Sequence, residues 1–323
     1  MVKRRLRDVG EHPWLRSLLR ELSRGGGDAR VIVGPGDDAA VVRAGRRPIV
    51  LTTDTLVEGR HFRAGWWSPA ALGRRAFGVN ASDVAAMGAR PSFALLAIEA
   101  PGTTAVADLD ALVRGFARAA HRAGAVLVGG NLAAGPHLAV TVALLGTVSG
   151  RIATRAGARV GDGVYVTGAL GAAGAAVRAR VAARRVPMPA VPDRGAAGPR
   201  LAAVASAMID VSDGLLQDLG HVCRASGVGA VVEAACVPVA AACRRALGER
   251  APLFAATAGE DYELLFTVSP RRAGALSRIA PRLGCRVTRI GTIVAGRPVV
   301  RLVDAGGRAI ALPRRGFDHF RHG

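Results

Sequence analysis

Aspartates dominate the chemistry that this sequence could support. Five segments place acidic residues in Gly-, Ser- or Thr-bracketed turns at the ends of apolar runs. They are Gly36-Asp37-Asp38, Thr52-Thr53-Asp54-Thr55, Asn80-Ala81-Ser82-Asp83, Asp210-Val211-Ser212-Asp213-Gly214 and Gly259-Glu260-Asp261. Open α/β sheets put their ligands at strand ends. Carboxylates gathered there repel one another unless a cation intervenes, and Mg²⁺ takes hard oxygen ligands, typically carboxylates shared with phosphate oxygens. Lys3 is the only lysine and lies in no Gly-rich turn, so neither a P-loop lysine nor a protein-kinase lysine is present. A divided set of aspartates with hydroxyls nearby is what a metal–nucleotide site without that lysine needs, with charge neutralised by metal and arginine. Each segment also has a plainer reading. A Gly-Asp pair is commonly a turn, and Ser or Asp before a helix is commonly a cap. Asp38 and Asp218 can be structural, Asp83 can solvate a helix end, and His61 can be a satisfied buried histidine.

The elements that must position these residues read as mixed α and β. A helix is expected over 13–22. A strand over 31–33 runs into Gly34-Pro35-Gly36-Asp37-Asp38, and a strand over 49–52 ends at Thr53-Asp54-Thr55. A helix over 69–87 starts at Ser68 as N-cap and stops at Gly88. Further expected elements are a strand over 93–98, an amphipathic helix over 106–122, a strand over 126–128 that stops at Gly129-Gly130-Asn131, and a long strand over 138–148. After a turn-rich join near Gly150 a second pattern begins. It has a strand over 164–167, a helix from Ala172, an irregular Pro- and Gly-rich loop over 186–200 and a helix from Arg200. A helix over 215–225 follows, then a strand over 263–268, a helix over 271–283 and strands over 287–293 and 299–302. The expected organisation is two α/β domains, 1–149 and 150–323.

Composition narrows the classes. The chain has 323 residues, half of them hydrophobic but only 4% aromatic, so its core must be built from Ala, Val and Leu. The net charge of +20 invites a nucleic-acid reading. The arginines are spread along the chain and no basic stretch is interleaved with base-stacking aromatics, so no nucleic-acid partner is expected. Such a field still attracts anionic substrates. Cys223, Cys236, Cys243 and Cys285 form no C-x-x-C pair, which argues against zinc and for thiols in a reducing compartment. The N-terminus is charged and has no apolar signal core, and the most apolar stretch, 138–148, is too short to span a bilayer. A cytoplasmic protein without a membrane partner is expected.

As a set, the motifs resemble the thiamine-monophosphate kinase family of the AIR synthase-like ATP-binding superfamily, and the resemblance covers nearly the whole chain. It is carried by Gly34-x-Gly36-Asp37-Asp38-Ala39-Ala40, by Thr53-Asp54-Thr55-Leu56-Val57-Glu58-Gly59-x-His61-Phe62 and by Val79-Asn80-x-Ser82-Asp83-x-Ala85-Ala86-Met87-Gly88-Ala89. In the second half it is carried by Ile209-Asp210-x-Ser212-Asp213-Gly214-Leu215, by Gly259-Glu260-Asp261-Tyr262-Glu263-Leu264 and by Gly316-Phe317-Asp318-His319-Phe320. The resemblance implies a two-domain fold whose N-terminal strands form a homodimer. It also implies direct phosphoryl transfer from ATP to thiamine phosphate, with Mg²⁺. The acceptor phosphate is already anionic, so positioning and charge neutralisation would suffice. By resemblance, Asp37, Thr52, Thr53, Asp54, Asp83, Asn131, Asp210 and Asp213 hold metal, with Asp54, Asp83 and Asp213 at the chemistry. Gly130, Asn131, Arg155 and Ser212 contact ATP. His61, Glu260 and Phe317 contact the thiamine end, where a ring and a carboxylate suit a cationic heterocycle. The sequence departs from the family's Gly-Gly-Asp-Thr at Gly129-Gly130-Asn131-Leu132. Asn131 keeps a carbonyl oxygen but lacks the charge, which leaves an alternative: a weakened or non-catalytic nucleotide-binding paralogue on the same fold.

Overall fold

The computed structural model describes residues 29–33, 41, 42, 45 and 47–311. The expected helix over 13–22, Asp37, Asp38 and Phe317 lie outside the described residues. The described residues divide into two compact units, one running up to Val84 and resuming over Arg90–Val148, the other formed by Ala85–Ala89 and the chain from Ser149.

The first unit holds β1 (Val31–Val33), β2 (Val41–Val42), β3 (Ile49–Val57), α1 (Pro69–Ala86), β4 (Ala89–Ala100), α2 (Val106–Arg122), β5 (Val126–Ala134) and β6 (Ala139–Val148). A four-stranded sheet has the order β3-β6-β4-β5. β3 pairs antiparallel with β6 over nine residues, from Ile49↔Thr147 to Val57↔Ala139, and β4 pairs parallel with β5. β6 alternates strictly between buried and half-buried residues, the signature of a sheet with one covered face. Val140, Val142 and Leu144 turn into the core with Leu96 and Ile98. Leu109, Leu112 and Phe116 of α2 are buried, and Phe77 of α1 meets Phe116 edge-on at 5.6 Å. The Ser68 hydroxyl accepts the Ala71 N–H at 3.3 Å, as an N-cap does, and Gly88 adopts φ +74 beyond the helix end.

Two expected boundaries move, and both matter for the site. Thr53-Asp54-Thr55 do not follow a strand; they lie inside β3, because the β6 hairpin partner continues beside them. Gly129-Gly130-Asn131 likewise do not end a strand but continue β5. A register shift between Ala94 and Leu95 accommodates them. A Cβ on Gly130 would lie 1.9 Å from the Leu96 carbonyl oxygen, so glycine is what lets the two backbones approach.

The second unit holds β7 (Gly163–Thr167), α3 (Ala172–Val181), α4 (Ala197–Ala202), β8 (Ala207–Asp210), α5 (Leu215–Ser226), β9 (Gly229–Glu233), α6 (Ala241–Leu247), α7 (Ala251–Thr257), β10 (Leu264–Val268), α8 (Ala273–Ile279), β11 (Val287–Val294) and β12 (Val300–Val303). Its six strands run β12-β9-β11-β7-β10-β8. β7, β8 and β10 are almost wholly buried, as expected for a sheet covered on both faces. One face packs Leu215, Leu219 and Val222 of α5 with Val164, Ile209 and Leu265, and the other packs Leu201, Met208, Phe266 and Leu276. The helix expected from Arg200 instead begins at Ala197 and is over by Ala202. The helix expected over 271–283 shrinks to α8 between 3-10 turns at Pro270–Arg272 and Ala280–Arg282, each with a proline in its first two residues. β9, α6 and α7 lack a strong periodic pattern and have no counterpart in the sequence expectation.

Candidate functional site

In the first unit the hydroxyl of Thr52 donates to Oδ2 of Asp83 at 2.7 Å, joining β3 to α1. Asp83 is three residues from the C-terminal end of α1. That end carries the negative pole of the helix dipole, where a carboxylate is disfavoured. Helix stability therefore does not account for Asp83; a cation beside it would. Thr53 and Asp54 are exposed on β3 next to Thr52. His61 follows β3 in a turn in which its own N–H and that of Arg60 donate to the Val57 carbonyl. Its Nδ1 accepts the Val57 N–H at 3.0 Å, so a neutral ring carries its proton on Nε2. The ring is half-buried, not the fully buried histidine of the plainer reading.

Asn131 and Gly130 are exposed on β5, at the opposite edge of the sheet from β3. Three strand spacings separate those edges, about 14 Å at ~4.8 Å each. The structure thus brings Thr52 to Asp83 but does not bring Asn131 to Asp54 within one chain.

In the second unit β8 delivers Asp210, 4% exposed, at its last residue. The following turn is fixed by one side chain. Oδ2 of Asp218 accepts the backbone N–H groups of Ser212, Asp213 and Gly214, each at 3.1 Å. Asp213 in turn accepts Nε2 of Gln217 at 3.1 Å. Burial, and then the charges of Asp210 and Asp213, push the Asp218 carboxyl up to about 8. Asp218 is therefore the structural aspartate of the plainer reading, but its structural task is to shape the turn that carries Ser212 and Asp213.

Asp213, Asp218 and His221 offer ligand atoms all within 4.8 Å of one another. Burial lowers the His221 pKa, and Arg224 and Arg155 lower it further against the pull of Asp213. Arg155 thus belongs to the same electrostatic neighbourhood as Asp213. Sequence reasoning missed His221 and Gln217. The available signal was helical spacing: Gln217 stands four residues after Asp213, and His221 three after Asp218. A cavity of about 230 Å³ opens on this face of α5, between Gln217, His221 and Arg224 and the segment Pro298–Val300.

Glu260 lies in a turn that hydrogen-bonds back to this loop, its N–H donating to the Ser212 carbonyl at 2.7 Å. Glu260 and Tyr262 have φ of +70 and +52, left-handed values that non-glycine residues hold only when surrounding structure imposes them. Each unit therefore presents hard oxygen donors: Thr52 and Asp54 on one face of β3 with Asp83, Thr53 turning its side chain to the other face, and Asp210, Ser212, Asp213 and Glu260 in the second unit.

Comparison with known proteins covers most of the chain. The family model for the N-terminal domain of AIR synthase related proteins matches residues 36–148, and that for their C-terminal domain matches 159–303. The thiamine-monophosphate kinase of Mycobacterium tuberculosis is 38% identical over 282 residues, 83% of this chain and 84% of that protein. The crystal structure of thiamine-monophosphate kinase from Stenotrophomonas maltophilia superposes with a TM-score of 0.80 at 34% identity, covering 92% of this chain and 95% of the other. AaThiL complexed with AMPPCP and TMP superposes with a TM-score of 0.75 at 27% identity, over 99% of this chain and 100% of that one.

Proposed function

The chain belongs to the thiamine-monophosphate kinases of the AIR synthase related family, and from that premise we propose that it transfers the γ-phosphoryl group of ATP to thiamine phosphate, giving ADP and thiamine diphosphate. The observation that carries this reading is the pair of oxygen-donor sets in a chain that has no phosphate-binding lysine motif. AMPPCP and TMP, the ligands of the solved AaThiL complex, are the molecules these donors would serve here: an ATP analogue and thiamine phosphate.

Mg²⁺ fits the residues present. Carboxylate and hydroxyl oxygens are its preferred ligands, and the charges of Asp210 and Asp213 crowd Asp218 and raise its proton affinity. Thr52, Thr53, Asp54 and Asp83, with Asp37, would hold it in the first unit, and Asp210 and Asp213 in the second. When bound, Mg²⁺ supplies neutralising charge to the phosphates. The chain's own residues do the rest. Ser212 and Arg155, with Gly130 and Asn131, bind ATP oxygens. Thr52 fixes the Asp83 carboxylate by its hydroxyl. His61 presents Nε2–H to the thiamine phosphate, Glu260 offers its charge to the cationic thiazolium, and Phe317 offers a ring. No group need remove a proton, because the attacking phosphate oxygen is anionic at neutral pH. The two domains of this activity are 1–149 and 150–323.

We place the enzyme in the cytoplasm as a homodimer. Its four cysteines are free thiols, and among the described residues no helix is long and apolar enough to cross a membrane. The uncovered face of the first unit's sheet exposes Ile49 at 40%, Leu51 at 72% and Leu95 at 38%. A second copy stacking its own open sheet face on this one would cover it. It would also bring one copy's β5, with Asn131, toward the other's β3.

The deciding experiment is conversion of thiamine phosphate to thiamine diphosphate by purified protein with ATP and Mg²⁺. Product is expected, and Asp54→Ala is expected to lose it while keeping the wild-type melting temperature. ATP binding without product would leave only a nucleotide-binding role.

A further inference from the structure

We propose that Asp261 is a positioning residue for Glu260, holding it in the left-handed conformation in which it meets the thiamine end of the substrate; this rests on the reaction assigned above.

Residues 259–263 alternate between anchors and strained positions. Gly259 packs so tightly that a Cβ there would stand 2.4 Å from the Ser212 carbonyl oxygen. Glu260 follows at φ +70, and Tyr262 at φ +52. Their N–H groups donate to the Ser212 and Val211 carbonyls, both at 2.7 Å. Two main-chain hydrogen bonds fix where this strip lies but do not forbid Glu260 from relaxing to a right-handed conformation. The residue between the two strained positions supplies the missing restraint.

Asp261 is 6% exposed. Its two carboxylate oxygens take the Gly171 N–H at 2.9 and 2.8 Å from ninety residues away. The N–H groups of Ala172 and Ala173 add to this grip. These are the first donors of α3, where helix N-termini are short of acceptors and favour negative charge. If α3 needed only a cap, a local Ser or Asn would serve. A carboxylate brought in from between two left-handed residues ties their geometry to a rigid helix. Glu263, one step further on, is anchored as well: it accepts the Thr167 hydroxyl at 2.6 Å and two Arg194 nitrogens at 2.6 and 2.7 Å. With 261 and 263 held, the backbone of Glu260 between Gly259 and Asp261 is pinned on both sides.

The test is a mutant cycle in the full-length enzyme, with both Michaelis constants measured. Asp261→Ala is expected to raise KM for thiamine phosphate at least tenfold and leave KM for ATP within twofold. Asp261→Asn keeps a carbonyl oxygen for the Gly171 N–H and is expected to restore KM to within about threefold of wild type. Because Asp261 acts through Glu260, adding Asp261→Ala to Glu260→Ala is expected to cost nothing more. If the alanine variant does not fold, Asp261→Ser, whose shorter side chain withdraws the acceptor, carries the same cycle. A loss of kcat with both KM values unchanged is the mark of a purely structural role and would overturn the proposal, as would costs that multiply in the double variant. A wild-type enzyme that forms no thiamine diphosphate removes the reaction and this proposal together. A working wild type with multiplying costs removes this proposal alone.

Discussion

Thr52 and Asp83, thirty-one residues apart, meet through a 2.7 Å hydrogen bond from the threonine hydroxyl to the aspartate carboxylate. The bond joins an edge strand to the disfavoured end of a helix, and it joins two motifs that the sequence shows only as separate segments. A hydrogen bond to a charged acceptor is worth roughly 1.5–3 kcal/mol. Thr52→Val keeps the shape and deletes the donor. It is expected to lower turnover about tenfold or more and to raise the half-saturating Mg²⁺ concentration. Thr52→Ser is expected to stay near wild type. A steady-state Mg²⁺ titration of the three proteins checks both.

The resemblance implies an aspartate where this chain has Asn131, which is exposed on β5. Restoring the charge costs no packing there. Asn131→Asp is expected to lower the half-saturating Mg²⁺ concentration several-fold and to raise kcat. An unchanged Mg²⁺ dependence would place residue 131 away from the metal. Gly130→Ala, by contrast, is expected to disrupt the β4–β5 pairing, since its Cβ has no room beside Leu96. Loss of thermal stability is its readout.

The motif residues were legible because each pairs a chemical group with a local signal. Ser68 and Gly88 announced α1, and the α2 helix was read to its observed ends, Val106 and Arg122, from its apolar stripe. What the sequence hid was long-range. The extension of β3 through Asp54 depends on β6 lying beside it, which no local window contains. The persistence of β5 through two glycines is a backbone contact with Leu96. Asp218 looked like one more helical acid, because nothing in its neighbours says that a single oxygen takes three main-chain donors. β9, α6 and α7 are short, and their places are set by packing, β9 on β11 and β12, α6 on α3 and α7, and α7 on α5, not by periodicity.

Arg194 and Glu263 form a two-bond ion pair at 2.6 and 2.7 Å, with side chains 14% and 6% exposed. The arginine lies in the Pro-rich segment before α4, so the pair tethers that segment to the strand start that follows Glu260. Removing one partner of a buried pair strands the other charge, at a cost of about 3–5 kcal/mol. Arg194→Ala is expected to lower the unfolding free energy by that order. Adding Glu263→Gln is expected to recover part of the loss, because the stranded charge is gone. Chemical denaturation of the single and double variants measures both terms.

Stability is also expected to depend on pH through Asp261. Burial first, and then the Glu263 charge, push its carboxyl up to about 7 from an ordinary 3.8, while the Gly171, Ala173 and Ala172 N–H groups pull the other way. The folded chain then holds this proton up to about pH 7, whereas the unfolded chain releases it near pH 4. Between those values the native state binds more protons than the unfolded state, so stability falls as pH rises. The contribution is full below about pH 4 and gone above about pH 7. Asp218, pushed up to about 8, acts with the same sign and carries the decline further. In metal-free protein the melting temperature is expected to drop from pH 4.5 to pH 8. Asp261→Asn, which cannot titrate but keeps an oxygen for the α3 donors, is expected to reduce the slope between about pH 4 and pH 7 to the Asp218 contribution alone and to leave the slope above pH 7 unchanged. Equal slopes in wild type and variant would mean that Asp261 is ionised throughout, and that the three N–H groups outweigh its burial.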